Sequence, residues 1–106
     1  MTENQTVAFE ALDPGHAYAL ANMEGGTQPI QFIKKDAENG QLITVTNGTT
    51  NEVVIAVLID RLKFLNVKSP SPFNDMAISH LESALKELNL RTEERKARGV
   101  EGTPAA

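Results

Sequence analysis

Arg91, Arg95 and Arg98 are the residues whose spacing most directly suggests chemistry, because they recur at i, i+4 and i+7. On a helix this spacing places three guanidinium groups on one face. Since arginine matches the geometry of phosphate, the pattern predicts a site for a small phosphorylated ligand. The alternative is a solvated helix end, favoured by the helix dipole and paired with Glu87 and Glu94. Spacing by itself favours that alternative.

Two further side chains have the chemistry of a nucleotide site. Phe64 offers an aromatic face on which a base can stack, and Asn74 offers both a hydrogen-bond donor and an acceptor. They lie at the end of one predicted helix and the start of the next, so we expect them to share one pocket. Arg91 lies 17 positions beyond Asn74, which is about 25 Å along a helix. A second copy of the chain would therefore have to supply the arginine.

Catalysis is not indicated by the sequence. His80 lies on the apolar stripe of the second predicted helix, where we interpret it as a core or interface residue, and His16 precedes a strand. Ala84 occupies the position four residues after His80, where a helical zinc site would have its second ligand. Neither a Walker loop nor a Gly-x-Gly-x-x-Gly motif is present. We expect no enzymatic activity, no catalytic residue, no metal and no cofactor.

Composition excludes several classes of protein. The 106 residues correspond to one domain, and 41% hydrophobic with 23% charged residues is typical of a globular chain. A net charge of -4 argues against binding to a nucleic-acid polymer. The absence of cysteine excludes disulfides and thiolate metal sites. Because so short a chain has a thin core, we expect it to gain stability by oligomerisation.

The sequence also indicates a cytoplasmic location without a membrane contact. The first six residues have no basic or apolar segment typical of a signal peptide. The longest strongly apolar run, 53–59, is far shorter than the roughly 20 residues that cross a bilayer.

Turn residues divide the first half of the chain into short strands. Gly25-Gly26 ends a segment over 17–23, and Asn39-Gly40 joins segments over 29–34 and 41–46. An Asn-Gly pair between two such runs is a strong hairpin signal. We predict an antiparallel meander of about three strands, with 7–12 as a candidate fourth.

Helical periodicity begins near residue 50. Thr49 and Glu52 fit a capping box, and apolar residues then recur at helical spacing over 51–66. Ser71-Pro72 predicts the start of a second helix that runs to Arg98. Gly99 ends it, leaving a tail over 99–106 of which the last five residues, 102–106, are expected to be loose. The predicted fold is a single α+β domain, with a β-meander over about 7–46 and an antiparallel helical hairpin over about 50–98.

Several motifs resemble the phage Thoeris anti-defence sponges of the first type, whose helical hairpin is shared with the phage anti-CBASS sponges. The resemblance covers roughly residues 17–103. It is carried by NGTTNE at 47–52, IDRL at 59–62, Pro72-Phe73-x-x-x-Ala77, and above all RTEERKARGVEGT at 91–103.

The resemblance implies a phage protein that binds the cyclic ADP-ribose signal of Thoeris TIR enzymes, glycocyclic ADP-ribose, and sequesters it without cleaving it. It further implies a ligand held between the protomers of a dimer; some members form hexamers and hold cyclic di- or trinucleotides at separate sites. The family's stacking aromatic falls on Phe64, its asparagine on Asn74 and its C-terminal arginines on Arg91 and Arg95. Arg61 and Arg98 complete the predicted ligand-binding set.

Two departures from the family concern the walls of the pocket. The arginine that other members carry near the sheet has no clear counterpart, and Lys34 or Lys35 is the nearest substitute. The segment 66–71 stands where a shorter linker containing glutamine and glycine is expected.

Two alternatives remain open. One is a sponge for cyclic di- or trinucleotides that inhibits CBASS, alone or in addition. The other is a small interaction module that binds no nucleotide and whose arginine face meets an acidic partner.

Overall fold

The computed structural model describes residues 8–106 and confirms the α+β fold, with short antiparallel strands followed by a helical hairpin. In chain order the elements are β1 (Phe9–Asp13), β2 (Ala17–Ala21), β3 (Thr27–Gln31), β4 (Lys34–Glu38), β5 (Gln41–Thr46), α1 (Asn51–Lys68) and α2 (Pro72–Ala97). The candidate fourth strand is therefore present as β1. Its predicted first residue, Val7, lies outside the described residues.

β1, β2 and β3 form an antiparallel three-stranded sheet with β2 in the centre. Tyr18 pairs in register with Ala11 on one side and Ile30 on the other. Its ring meets Phe9 edge-on at 5.5 Å between centroids, and Phe32 at 6.0 Å. Edge-to-face pairs of this kind stabilise a thin sheet beyond the area they bury.

The predicted single strand over 29–34 is wrong, because β3 ends at Gln31 and β4 pairs with β5 in a separate two-stranded sheet. Backbone pairing with Thr49 causes the break. The N–H of Thr49 donates to Gln31 O at 3.0 Å, and Thr49 O accepts from Ile33 N at 2.8 Å. The turn between β4 and β5 is the predicted one, with positive φ at Asn39 (54°) and Gly40 (77°).

Gly48 is required by the close approach of these two backbone segments. A Cβ atom at this position would lie 2.5 Å from the carbonyl oxygen of Gln31. No side chain fits there without moving the backbone of β3.

The first helix begins at Asn51 as predicted, but its N-cap lies one residue later than the predicted cap. Thr50, and not Thr49, is the N-cap, and its hydroxyl accepts from Val53 N at 3.3 Å. Thr49 cannot fill this role because both of its backbone groups pair with the chain around the end of β3. Glu52 still lies in the first turn, where the helix dipole favours an acidic residue.

The ends of α2 agree with the sequence. Ser71 is the N-cap, with its Oγ accepting from Phe73 N at 3.1 Å, and Pro72 occupies the first helical position. Arg98 is the C-cap, and Gly99 follows with a φ of 74°.

Contacts divide the chain into two units. The first comprises the chain up to Asp36 together with Thr44–Thr49, and the second comprises Ala37–Ile43 together with Thr50–Ala106. In the second unit α1 packs against α2 around Ile59 and Ile78, each 8% exposed. In the same unit, Leu42 N donates to Gly102 O at 2.8 Å, which joins the tip of the β4–β5 hairpin to the C-terminal tail.

Much apolar surface is left exposed on the helices. Val53, Val57 and Phe64 are 52%, 59% and 61% exposed, and their spacing places them on one face of α1 at 100° per residue. This surface is consistent with an oligomer, which stays a prediction. Among the described residues no helix is long and apolar enough to cross a membrane.

Candidate ligand-binding site on the helical hairpin

Asn74 lies at the turn of the hairpin within a network of side chains. Its Nδ2 donates to Asn66 Oδ1 at 3.2 Å and lies 3.5 Å from the carbonyl oxygen of Ser69. Asn66 also accepts from Ser71 N at 3.0 Å and donates to Asp75 Oδ1 at 2.7 Å. The predicted site residue therefore contacts Asn66 and Ser69, and Asn66 is held in turn by Ser71 and Asp75 near the start of α2.

Phe64 lies on the exposed face of α1. Lys68 follows one turn later, and its Nζ lies 5.1 Å from the centroid of the Phe64 ring, within the range of a cation–π interaction. Arg61 precedes Phe64 by three residues and is also exposed, so the two side chains share a face of the helix. One face of the ring is thus covered by the Lys68 cation, and Arg61 adds a second positive charge on the same face of the helix.

The Phe64 ring and the Asn74 side chain, which belongs to α2, lie on different sides of α1. Asn74 contacts Asn66, and Asn66 lies two residues beyond Phe64. Two residues turn an α-helix by about 200°, so the phenyl ring points away from the contact between the two asparagines. The expected shared pocket within one chain is not formed.

Arg95 is the least exposed of the three C-terminal arginines, at 8%. Its guanidinium donates to Thr103 O at 2.8 Å and to Val100 O at 3.2 Å, and it also contacts Ala105 O. The side chain therefore holds the segment after α2 against the helix. The expected loose tail is instead bound by an arginine that the sequence assigned to a ligand.

Arg98 and Arg91 differ from Arg95 in their surroundings. Arg98 forms an ion pair with Glu94 one turn earlier and also donates to Ala106 O. This matches the alternative of a solvated helix end. Arg91 is exposed, and it makes neither a hydrogen bond nor an ion pair within residues 8–106. Of the three arginines, it is the one available to a phosphate without breaking an existing contact.

The remaining candidates are distributed between the two units. Lys34 pairs with Asp13 at 3.0 Å within the first unit, and Lys35 is exposed. His80 is exposed on α2, so the core role considered for it is wrong and only the interface role remains. An open groove between the helices contains none of the predicted residues; it is lined by Ala56, Ile59, Glu82, Leu85, Lys86, Asn89, Leu90 and Glu93.

Sequence reasoning missed Asn66 and the tail. The sequence places Asn66 at the start of a linker, but in the structure it is the last half-buried residue of α1 and the centre of the network around Asn74. The tail carries Thr103, whose hydroxyl donates to Val100 O at 2.6 Å. The motif RTEERKARGVEGT at 91–103 spans both the end of α2 and the tail, and it is the sequence signal that the two act together.

These elements define a small α+β protein in which a long helical hairpin carries an exposed phenyl ring, an exposed arginine and an anchored tail. No protein-family model matches the chain.

A protein of Bacillus phage SBSphiJ7 named Thoeris anti-defense 1 is 51% identical to this chain in an alignment of 70 residues, which covers 61% of this chain and 49% of the relative. The chain thus spans about half the length of the curated relative it matches. The match confirms the resemblance drawn from the motifs, since over the aligned part this chain is similar to a phage protein named for action against Thoeris.

Proposed function

We propose that this chain is a phage anti-defence protein that binds cyclic ADP-ribose-type signals made by Thoeris TIR proteins and sequesters them without cleavage. The ligand is expected to be glycocyclic ADP-ribose. Its removal would leave the Thoeris effector without its activator. The observation that carries the proposal is the 51% identity to a protein named for action against Thoeris.

The chemistry of the hairpin supports binding of a compact, doubly charged nucleotide. Phe64 offers a ring with one face against Lys68 and the other available to a base. Arg91 offers an exposed guanidinium suited to a pyrophosphate. Overall acidity disfavours a nucleic-acid polymer, whereas one local arginine suffices for a single pyrophosphate.

The distances support a site built from two chains. Asn74 and Arg91 are separated by 17 residues of α2, or about 25 Å, and Phe64 faces away from the network around Asn74. A homodimer, or a higher oligomer such as a hexamer, brings the arginine of one protomer to the ring of its partner. The apolar stripe on α1 supplies surface for such an assembly.

Competitive capture from a mixture tests this proposal. Purified protein is incubated with equal amounts of glycocyclic ADP-ribose, a cyclic dinucleotide and a cyclic trinucleotide, washed, heated, and the released material is identified by mass spectrometry. We expect intact glycocyclic ADP-ribose. Cyclic oligonucleotides without it would support the sponge against CBASS, and no nucleotide would support the interaction module.

A further inference from the structure

The polarity of the hydrogen bonds at the hairpin turn determines which atom of Asn74 faces a ligand. We infer that Asn66 is a positioning residue that fixes the Asn74 amide with its oxygen available, so that Asn74 recognises a donor on the ligand. A hydroxyl or an exocyclic amine fits this requirement, and a phosphate oxygen does not. The inference rests on the proposed function for the presence of a nucleotide ligand.

Two groups of unambiguous chemistry set the orientation of Asn66. The backbone N–H of Ser71 can only donate, and its acceptor at 3.0 Å is Asn66 Oδ1. The carboxylate of Asp75 has only acceptor atoms, and its partner at 2.7 Å is Asn66 Nδ2. Turning the Asn66 amide over would place oxygen against oxygen and nitrogen against a backbone N–H. Its orientation is therefore dictated by its neighbours.

The orientation of Asn74 follows from that of Asn66. Because Asn66 presents its oxygen, the facing group of Asn74 at 3.2 Å must be the amide nitrogen. The same nitrogen lies 3.5 Å from Ser69 O. Within the part of the chain that the structure describes, Asn74 Oδ1 makes no hydrogen bond. The acceptor atom of this half-buried side chain is thus left for a ligand.

Asn74 and Arg91 therefore recognise different groups of the ligand. An amide oxygen repels the anionic oxygens of a pyrophosphate and attracts a hydroxyl or an amine. Phosphate recognition is left to the guanidinium of Arg91. Asn66 acts only through Asn74, so its effect on binding must depend on the presence of Asn74.

Nuclear magnetic resonance of the free protein tests the positioning directly. We expect the side-chain NH₂ protons of Asn74 to exchange with solvent more slowly than those of Asn89, an exposed asparagine on the same helix. Asn66→Ala should raise the Asn74 rate to that of Asn89, and Asn89→Ala should leave it unchanged. An Asn74 rate that does not respond to Asn66→Ala overturns the inference, whether or not a ligand binds.

A double-mutant cycle with glycocyclic ADP-ribose tests the consequence for binding. Asn66→Ala should weaken binding by up to about tenfold, the size of one hydrogen bond, and should add nothing in an Asn74→Ala background. Equal losses in both backgrounds would contradict the inference. Failure of the unaltered protein to bind would instead refute the proposed function, and the exchange rates would still decide the positioning.

A double variant that exchanges the hydrogen-bond donor and acceptor distinguishes a loss of positioning from damage to the fold. Asn66→Asp combined with Asp75→Asn exchanges the donor and acceptor between positions 66 and 75, and it keeps an oxygen toward Ser71 and Asn74. We expect this double variant to bind glycocyclic ADP-ribose within about twofold of the unaltered protein. A loss as large as that of Asn66→Ala would contradict the inference.

Discussion

The guanidinium of Arg95 donates to the carbonyl oxygen of Thr103 at 2.8 Å, and this bond ties the end of α2 to the chain that follows it. A buried arginine is tolerated only when its donors are satisfied, and here the acceptors are backbone carbonyls of the tail. Arg91 and Arg95, although one helical turn apart, therefore have different environments. Arg91 is available to a ligand, whereas Arg95 is engaged by the protein itself.

Arg95→Ala should release the tail. Hydrogen bonds to charged groups contribute about 1.5–3 kcal/mol each, so the variant should lower the free energy of unfolding by about 2–3 kcal/mol. Hydrogen–deuterium exchange should accelerate at Val100 and Thr103, whose N–H groups donate to the carbonyl oxygens of Arg95 and Val100. Denaturant unfolding and exchange mass spectrometry measure the two effects.

Arg98→Ala is the matched control, since Arg98 pairs with Glu94 at the surface and reaches the tail only at its last residue, Ala106. An exposed pair contributes about 0–1 kcal/mol, so both readouts should change little. Unaltered tail exchange in Arg95→Ala would show that the segment does not depend on this arginine.

Gly48→Ala should destabilise the sheet unit. The added Cβ would lie 2.5 Å from Gln31 O, and overpacking of this kind costs about 1–3 kcal/mol. At Gly26 the nearest atom is the side-chain nitrogen of Asn22 at 3.2 Å, which can move, so Gly26→Ala should cost less. Thermal unfolding of both variants measures the difference, and equal melting temperatures would refute the role assigned to Gly48.

Local signals predicted those parts of the fold that depend on a few adjacent residues. The turn at Asn39-Gly40, the cap and first residue of α2 at Ser71-Pro72, and its end before Gly99 all follow from backbone preferences of those residues. Each of these features is confirmed.

Features that depend on pairing between distant residues were not predictable. The capping box with Glu52 favours Thr49 as the cap in sequence, and only the pairing of Thr49 with Gln31 explains why Thr50 is the cap instead. The same pairing divides the expected strand over 29–34. Likewise, the burial of Arg95 depends on the path of the tail, and the outward direction of Phe64 depends on which face of α1 packs against α2.

The chain should be an oligomer in solution. Val53, Val57 and Phe64 leave an apolar stripe on α1, and a chain of this length has little core to compensate for it. Sedimentation velocity at low micromolar concentration should give at least a dimer. Val57→Asp places a charge on the stripe at a residue that is 59% exposed, and it should shift the distribution toward smaller species. A compact, stable monomer of the unaltered chain would contradict this prediction.

Complementation tests whether Phe64 and Arg91 act from different protomers. Phe64→Ala should lose base stacking of about 1–3 kcal/mol, and Arg91→Ala a charge-assisted bond of about 1.5–3 kcal/mol. Neither variant should bind glycocyclic ADP-ribose tightly. A refolded equimolar mixture forms heterodimers in which one composite site is intact, so calorimetry should recover tight binding at up to about half of the sites in those heterodimers.

Phe73→Ala is the aromatic control for this experiment, because Phe73 is 84% exposed at the start of α2 and is not among the predicted site residues. It should bind with nearly unaltered affinity. Heterodimers that form without restored binding would show that the two side chains serve the same protomer's site.

Sequestration without cleavage is the central claim, and a titration with excess ligand tests it most directly. Protein at known concentration is incubated with a tenfold excess of glycocyclic ADP-ribose, and free, bound and linearised nucleotide are quantified over time before and after heating. We predict that the bound amount saturates at a fixed ratio to protein and that heating returns all of it unchanged. Linearised product that accumulates beyond the protein concentration, or ligand that stays entirely free, would contradict the account.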